Sequence, residues 1–221
     1  MVHRIRVWDL PTRLFHWCLA ACLVGLVVTG QIGGDAFVWH FRLGYAVLSL
    51  LLFRLVWGFI GGRWSRFASF VTGPRAVWRY VQGHGNHGPS VGHNPLGALS
   101  VLAMLAFTLL QVATGLCSDD DIATTGPVAK MASEAWVHRA TYYHSHIGKW
   151  VLVALVLLHI AALVFYRMRR KQHLVGAMVS GDKQLPQAAV GTRDDARTRL
   201  GALVVLLLSA GLVAGFLQWV G

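Results

Sequence analysis

Five stretches of this chain are apolar for about the thickness of a bilayer: residues 14–30, 39–61, 96–115, 147–166 and 200–220. An apolar run of roughly 18 or more residues crosses the ~30 Å hydrocarbon core as a helix. Lipid offers no partner for backbone N–H and C=O groups, so each run has to satisfy its own as a helix. The expected fold is therefore all-α, a polytopic transmembrane helix bundle. A soluble chain of 221 residues that is 55% hydrophobic and 13% charged would have to bury five helices completely. No small-residue cleavage pattern follows the first run, so it is read as a span rather than a signal peptide.

The net charge of +11 invites a nucleic-acid partner, but its distribution argues against one. Residues 62–95 carry Arg63, Arg66, Arg75 and Arg79 with no acid, and residues 167–199 carry eight basic residues against three aspartates. Residues 31–38 hold only Asp35, and residues 117–143 hold Asp119, Asp120, Asp121 and Glu134 against Lys130 and Arg139. Positive charge alternates loop by loop, as expected for a cytoplasmic N-terminus and, with five spans, a periplasmic C-terminus. The partner this implies is membrane lipid, not nucleic acid. Cys18, Cys22 and Cys117 form no CxxC pair, and the absence of CxxCH excludes a c-type haem attached through that motif.

The histidines carry the chemistry. His3, His84, His87, His93, His138 and His173 fall in polar segments and read as mostly solvated, with His84, His87 and His93 a loose metal cluster at best. His16, His40, His144, His146 and His159 lie in or at the ends of spans, where ionisable groups mark ligand sites or pathways. His16 follows Arg13 closely and lies near the inner side. His40 begins the descending second span, so it is outer, as are His144 and His146 at the start of the fourth. His159 lies about 20–22 Å further in at 1.5 Å per residue. The depths pair His16 with His159 inside, and His40 with His144 or His146 outside.

Two imidazoles facing each other from different helices suit axial ligation of a haem iron. Zinc would need four close ligands. At 100° per residue His144 lies roughly 60° from His159 in azimuth and His146 roughly 140°, which favours His144 as the outer ligand and keeps His146 as the alternative. Gly44 and Gly148, each four residues after a candidate ligand, leave room for a flat macrocycle or serve close helix packing. Arg42 and Arg54 either pair with haem propionates or snorkel to the headgroups.

The entry RVWDLPTRLFHW, the segment WHFRLGYAVLSLLLFRLVWGFIGG, the loop TGLCSDDDIATTGPVAK, the helix HSHIGKWVLVALVLLHIAALVFY and the tail HLVGAMVSGDK together resemble the bacterial cytochrome b561 family. That family is similar to the b-type cytochrome subunits of nickel–iron hydrogenases. The resemblance covers roughly residues 3–183 and implies a four-helix core with two non-covalent b haems. It also implies electron transfer in the inner membrane between a periplasmic redox partner, a cytochrome c or a hydrogenase-like protein, and quinone or quinol. By motif His16, His40 and His159 carry over as ligands, and His144 matches through its spacing to Gly148. The stretch from Gly148 to His159 is one residue longer than the family pattern, which keeps His146 in play. Residues 1–183 are thus expected as the haem domain, 184–199 as a cytoplasmic linker and 200–221 as an added span outside the family pattern. Self-association is left open. A stand-alone quinone-coupled oxidase of a small oxidant such as superoxide is the second reading. A non-redox transporter or structural membrane protein is the third.

Overall fold

The structure, a computed structural model, describes residues 2–84, 90–120 and 124–220. Five helical stretches are long and apolar enough to cross a membrane: Leu10–Ile32, Gly34–Ile60, Pro95–Leu116, Glu134–Arg169 and Ala196–Val220. The all-α membrane fold expected from the apolar runs is observed. Large apolar side chains such as Leu55, Phe59, Leu158, Leu207 and Leu212 stay exposed along them. In water such a surface would drive association; in lipid it is the solvated face.

The helices are α1 (Leu10–Ile32), α2 (Phe37–Ile60), α3 (Pro74–Val81), α4 (Pro95–Leu116), α5 (Glu134–Tyr142), α6 (Lys149–Arg169), α7 (Leu174–Ser180) and α8 (Ala196–Val220). A π-helical turn, Tyr143–Gly148, joins α5 to α6. The chain forms two compact units, residues 1–16, 54–103 and 157–205 in the first, and 17–53, 104–156 and 206–221 in the second.

The first unit contains the one feature no hydropathy pattern announces. Strand β1 (His3–Arg6) pairs antiparallel with β2 (Asp182–Leu185), His3 opposite Leu185 and Arg6 opposite Asp182. Asp182 binds Arg4 at 2.7 Å and Arg6 at 2.6 Å. The α7 helix ends at Gly181 with φ of 88°, the left-handed conformation glycine adopts without strain. A Cβ there would stand 2.7 Å from the Trp8 carbonyl oxygen, while the Gly181 carbonyl accepts from the N–H groups of Val7 and Trp8. Val7, Trp8 and Ala177 form the small core at this junction.

Residues 184–199, expected as a linker, are bonded back to the N-terminal segment. Thr192 N–H donates to the Arg6 carbonyl at 2.7 Å, and Trp64 Nε1 donates to the Val190 carbonyl. The Asp194 carboxylate accepts from Leu10 N–H at 3.1 Å, Arg6 Nη1 at 3.0 Å and Arg199 Nε at 3.1 Å. Burial alone would raise the Asp194 pKa, but these donors outweigh it and hold the carboxyl below its ordinary value. Asp9 caps α1 by accepting from Thr12 N–H at 2.8 Å. Its other oxygen accepts from Gly62 N–H at 3.0 Å and Ser65 Oγ at 3.2 Å. One fully buried carboxylate thus ties the start of α1 to the loop that follows α2.

The core of the second unit is built on Val47, Leu51 and Val112, with Leu19, Cys22, Leu26, Leu48, Leu105 and Leu116 packed against them. Cys22 is therefore a packing residue here.

Candidate functional site

Each unit contains one pair of facing histidines. In the second unit the His40 ring, on α2, lies 6.1 Å from the ring of His144, the second residue of the π-helical turn. In the first unit His16, on α1, lies 6.4 Å from His159, on α6. Metal–nitrogen bonds of about 2.0–2.1 Å, with an imidazole centre roughly 1.1 Å beyond its nitrogen, would put two trans rings roughly 6.3 Å apart. Both pairs therefore have about the ring separation that one metal ion between two imidazoles would need. Among the described residues no three His, Cys, Asp or Glu side chains cluster as a metal site. A metal held at either pair needs its remaining ligands from elsewhere, as the four nitrogens of a tetrapyrrole provide.

The second unit's pair is oriented by main-chain carbonyls. His40 Nδ1 donates to the Leu26 carbonyl at 3.1 Å, with Thr29 Oγ1 at 3.3 Å, and His144 Nδ1 donates to the Gln111 carbonyl at 2.9 Å. A carbonyl can only accept, so these contacts place the proton on Nδ1 and leave the Nε2 lone pair for a metal. Gln111 returns the contact through its side chain, Nε2 donating to the His144 carbonyl at 2.8 Å. Two glycines press on the rings. A Cβ at Gly115 would come within 2.7 Å of the His144 ring, and one at Gly30 within 3.2 Å of His40.

His146 takes no part in this pair. It is exposed, stacked 5.0 Å from Tyr142, with Nδ1 against Ser145 Oγ at 2.8 Å. The π-helical turn Tyr143–Gly148 contains both candidates. A wider turn takes an additional residue without unwinding the helix, and such turns cluster at functional positions.

The glycines and arginines divide. A Cβ at Gly44 would meet nothing within 4 Å, whereas one at Gly148 would overlap Gln111 and Tyr143. Gly44 has the open space expected for a macrocycle; Gly148 is a close-packing glycine. Arg42 is exposed over the Trp39 ring at 5.0 Å, as a residue near the headgroups would be. Arg54 does not snorkel: it is 4% exposed, its Nη2 donates to the Ser65 carbonyl at 3.0 Å and its guanidinium lies over Phe67.

His93, expected to be solvated, is the residue sequence reasoning missed. Its ring packs 4.8 Å from Trp8 and 4.7 Å from Phe70. Burial, then the charges of Arg54 and Lys183 and the nearby His159 and His16 imidazoles, push its pKa down to about 3. Of its proposed companions, His84 contributes to no such cluster and His87 lies outside the described residues.

The family model for prokaryotic cytochrome b561 matches residues 7–181, which include all four paired histidines. The chain belongs to the prokaryotic cytochrome b561 family. Three relatives, each named a probable nickel–iron hydrogenase B-type cytochrome subunit, set the level of similarity. The protein from Bradyrhizobium diazoefficiens is 26% identical over 81% of this chain and 86% of its own length. The Rhodobacter capsulatus protein is 28% identical over 81% of each chain. The hydrogenase 1 subunit of Escherichia coli K12 is 23% identical over 79% of this chain and 88% of its own. No solved structure matches. As a b561 cytochrome, this is a multi-pass membrane electron-transfer protein that carries haem b.

Proposed function

We propose that this cytochrome b561 holds two b haems and relays electrons between a periplasmic redox protein and the quinone pool. His16 and His159 would bind the inner haem, and His40 and His144 the outer one, with His146 outside the ligand set. The observation that carries this reading is the pair of imidazole gaps, 6.4 Å and 6.1 Å between ring centres. A bound haem supplies a one-electron couple whose potential depends on axial ligands, burial and hydrogen bonding.

The chain's own residues orient the ligands. The Leu26 and Gln111 carbonyls fix the outer imidazole tautomers, Gly30 and Gly115 admit the rings, and Gly44 leaves a face open. Among the arginines, Arg54 is the candidate for a propionate, because it is buried while Arg42 is exposed. The names of the relatives support a hydrogenase-like partner. The β1–β2 pairing supports a topology in which residues 3–6 and 182–185 share one side of the membrane, with four spans between them. With the positive loops inside, α8 then carries the C-terminus outward.

The test is a reduced-minus-oxidised spectrum with a pyridine haemochrome count on the purified chain. Two haems per chain are expected, with His159→Ala removing mainly the inner one and His40→Ala mainly the outer. One haem or none in the wild-type protein would overturn the two-site arrangement.

A further inference from the structure

His93 occupies an unusual place for an imidazole. It immediately precedes α4, whose first turn is capped by Asn94 Oδ1 accepting from Gly97 N–H at 2.7 Å. The N-terminal end of a helix carries partial positive charge and favours an anion. Inside the aromatic cluster of Trp8 and Phe70, the buried His93 Nδ1 has no hydrogen-bond partner among the described residues. Phe70 continues the cluster to Phe67 at 5.9 Å, and Phe67 carries Arg54 on its face at 4.7 Å. The Arg54 Nη1 is likewise buried without a hydrogen-bond partner. A second cation, Lys183, stands within electrostatic reach of His93 with its amine donating to the Ser90 carbonyl at 2.6 Å.

Two buried nitrogens left open on one aromatic cluster, one of them the Arg54 Nη1 donor, are costly unless a ligand group bonds them. The acid whose charge Arg54 feels is Asp9. That carboxylate already accepts from Thr12, Gly62 and Ser65, and no ion pair joins it to Arg54 among the described residues. Among the described residues no further acceptor meets Arg54 Nη1 or His93 Nδ1.

We propose that Arg54 and His93, with Lys183 and the start of α4, form a carboxylate seat that positions a propionate of the inner haem. The proposal rests on the reading of His16 and His159 as that haem's ligands. Arg54 would donate through Nη1 and His93 through Nδ1, and neither would touch the iron. Both are positioning residues. A propionate is the carboxylate that a macrocycle held between His16 and His159 brings with it, and both imidazoles lie within electrostatic reach of His93. A free carboxylate would share this chemistry, and the porphyrin ester below separates the two sources.

The experiment is a redox titration of the full chain reconstituted with either haem b or its dimethyl ester, which lacks both carboxylates. With haem b, Arg54→Gln and His93→Phe should each lower the midpoint potential of the inner haem, because removing a cation or a donor favours the ferric form. Several-fold faster haem loss from that site should accompany the shift, with the outer haem unchanged. His93→Gln should restore much of the wild-type behaviour, and His93→Phe keeps the packing between Trp8 and Phe70 should Arg54→Gln fail to fold. With the dimethyl ester, wild type and His93→Phe should coincide. Unshifted potentials in a protein with its full haem count overturn the seat alone, as does an equal shift with the ester. A wild-type chain without a haem at His16–His159 overturns the two-haem reading and the seat with it.

Discussion

The two histidine pairs have nearly the same ring separation but different surroundings. The His40–His144 pair is locked by backbone: two carbonyls fix the Nδ1 protons and two glycines crowd the rings. The His16–His159 pair lies within electrostatic reach of a side-chain cluster, His93, whose neighbours are Arg54 and Lys183. Main-chain carbonyls survive any substitution at their own position, so the first arrangement is insensitive to the identity of Leu26 and Gln111 as acceptors. The second depends on side-chain charge and is open to tuning by single substitutions. If each pair holds a haem as proposed, one is built for fixed geometry and the other for adjustable potential.

The largest test of this contrast is at the π-helical turn. His144→Ala should lose the outer haem entirely and His146→Ala should keep it, read from the haem count. The reverse result would move the outer ligand onto an exposed ring. Next come the glycines. Gly115→Ala puts a methyl within 2.7 Å of the His144 ring and should lower outer-haem occupancy several-fold without touching the inner spectrum. Gly44→Leu should do the same only if the macrocycle occupies that open face; unaltered haem binding would place it elsewhere.

A smaller effect is expected where the first unit is stitched together. Asp194→Asn weakens charge-assisted contacts to Arg6 and Arg199 and should cost about 1–3 kcal/mol. Because the folded Asp194 pKa lies below its ordinary value, its contribution is present above the unfolded carboxylate pKa of about 3.9 and is lost as pH falls through the lower folded value. Melting the wild type and Asp194→Asn between roughly pH 6 and pH 3 should therefore bring the two curves together at the acid end. The smallest effect concerns the acidic loop. Asp119 accepts from Thr125 Oγ1, and Asp120 from Thr124 N–H and Oγ1, so both already have local structural work; Asp121 lies outside the described residues. If the loop also steers a basic partner, electron exchange should slow modestly as salt rises. Neutralising the three aspartates should have the same effect with both haem spectra intact. Fast quinol-linked turnover of a small oxidant by the chain alone, insensitive to salt, would favour the stand-alone oxidase.

The spans and the two pairs were legible because both depend on counting residues along a helix of fixed rise. Depth alone pairs His16 with His159 and His40 with His144 or His146, and the azimuth along the helix favours His144. The carbonyl anchors were not legible, since a backbone oxygen leaves no trace in residue type. The glycines that lie against the histidine rings, Gly30 and Gly115, were not legible, because they press from neighbouring helices whose rotation the sequence does not specify. His93 was read as solvated because glycines and polar residues surround it. Its signal was present in the order His-Asn-Pro, a capping residue followed by proline at the first helical position, which fixes His93 at a helix start. The β1–β2 pairing joins residues almost the whole chain apart and has no local signature beyond alternating Arg4, Arg6 and Asp182.

That pairing also sets an order of assembly. Strand β1 leaves the ribosome about 180 residues ahead of its partner, a wait of roughly ten to forty seconds at 5–20 residues per second. Throughout that time four spans must enter the bilayer while residues 3–6 present an unpaired edge. Arg4 and Arg6 guard it, as charged residues do on exposed strands, and Asp182 relieves them only when β2 arrives. The clasp closes last, so a chain that has it has already inserted everything between its two halves.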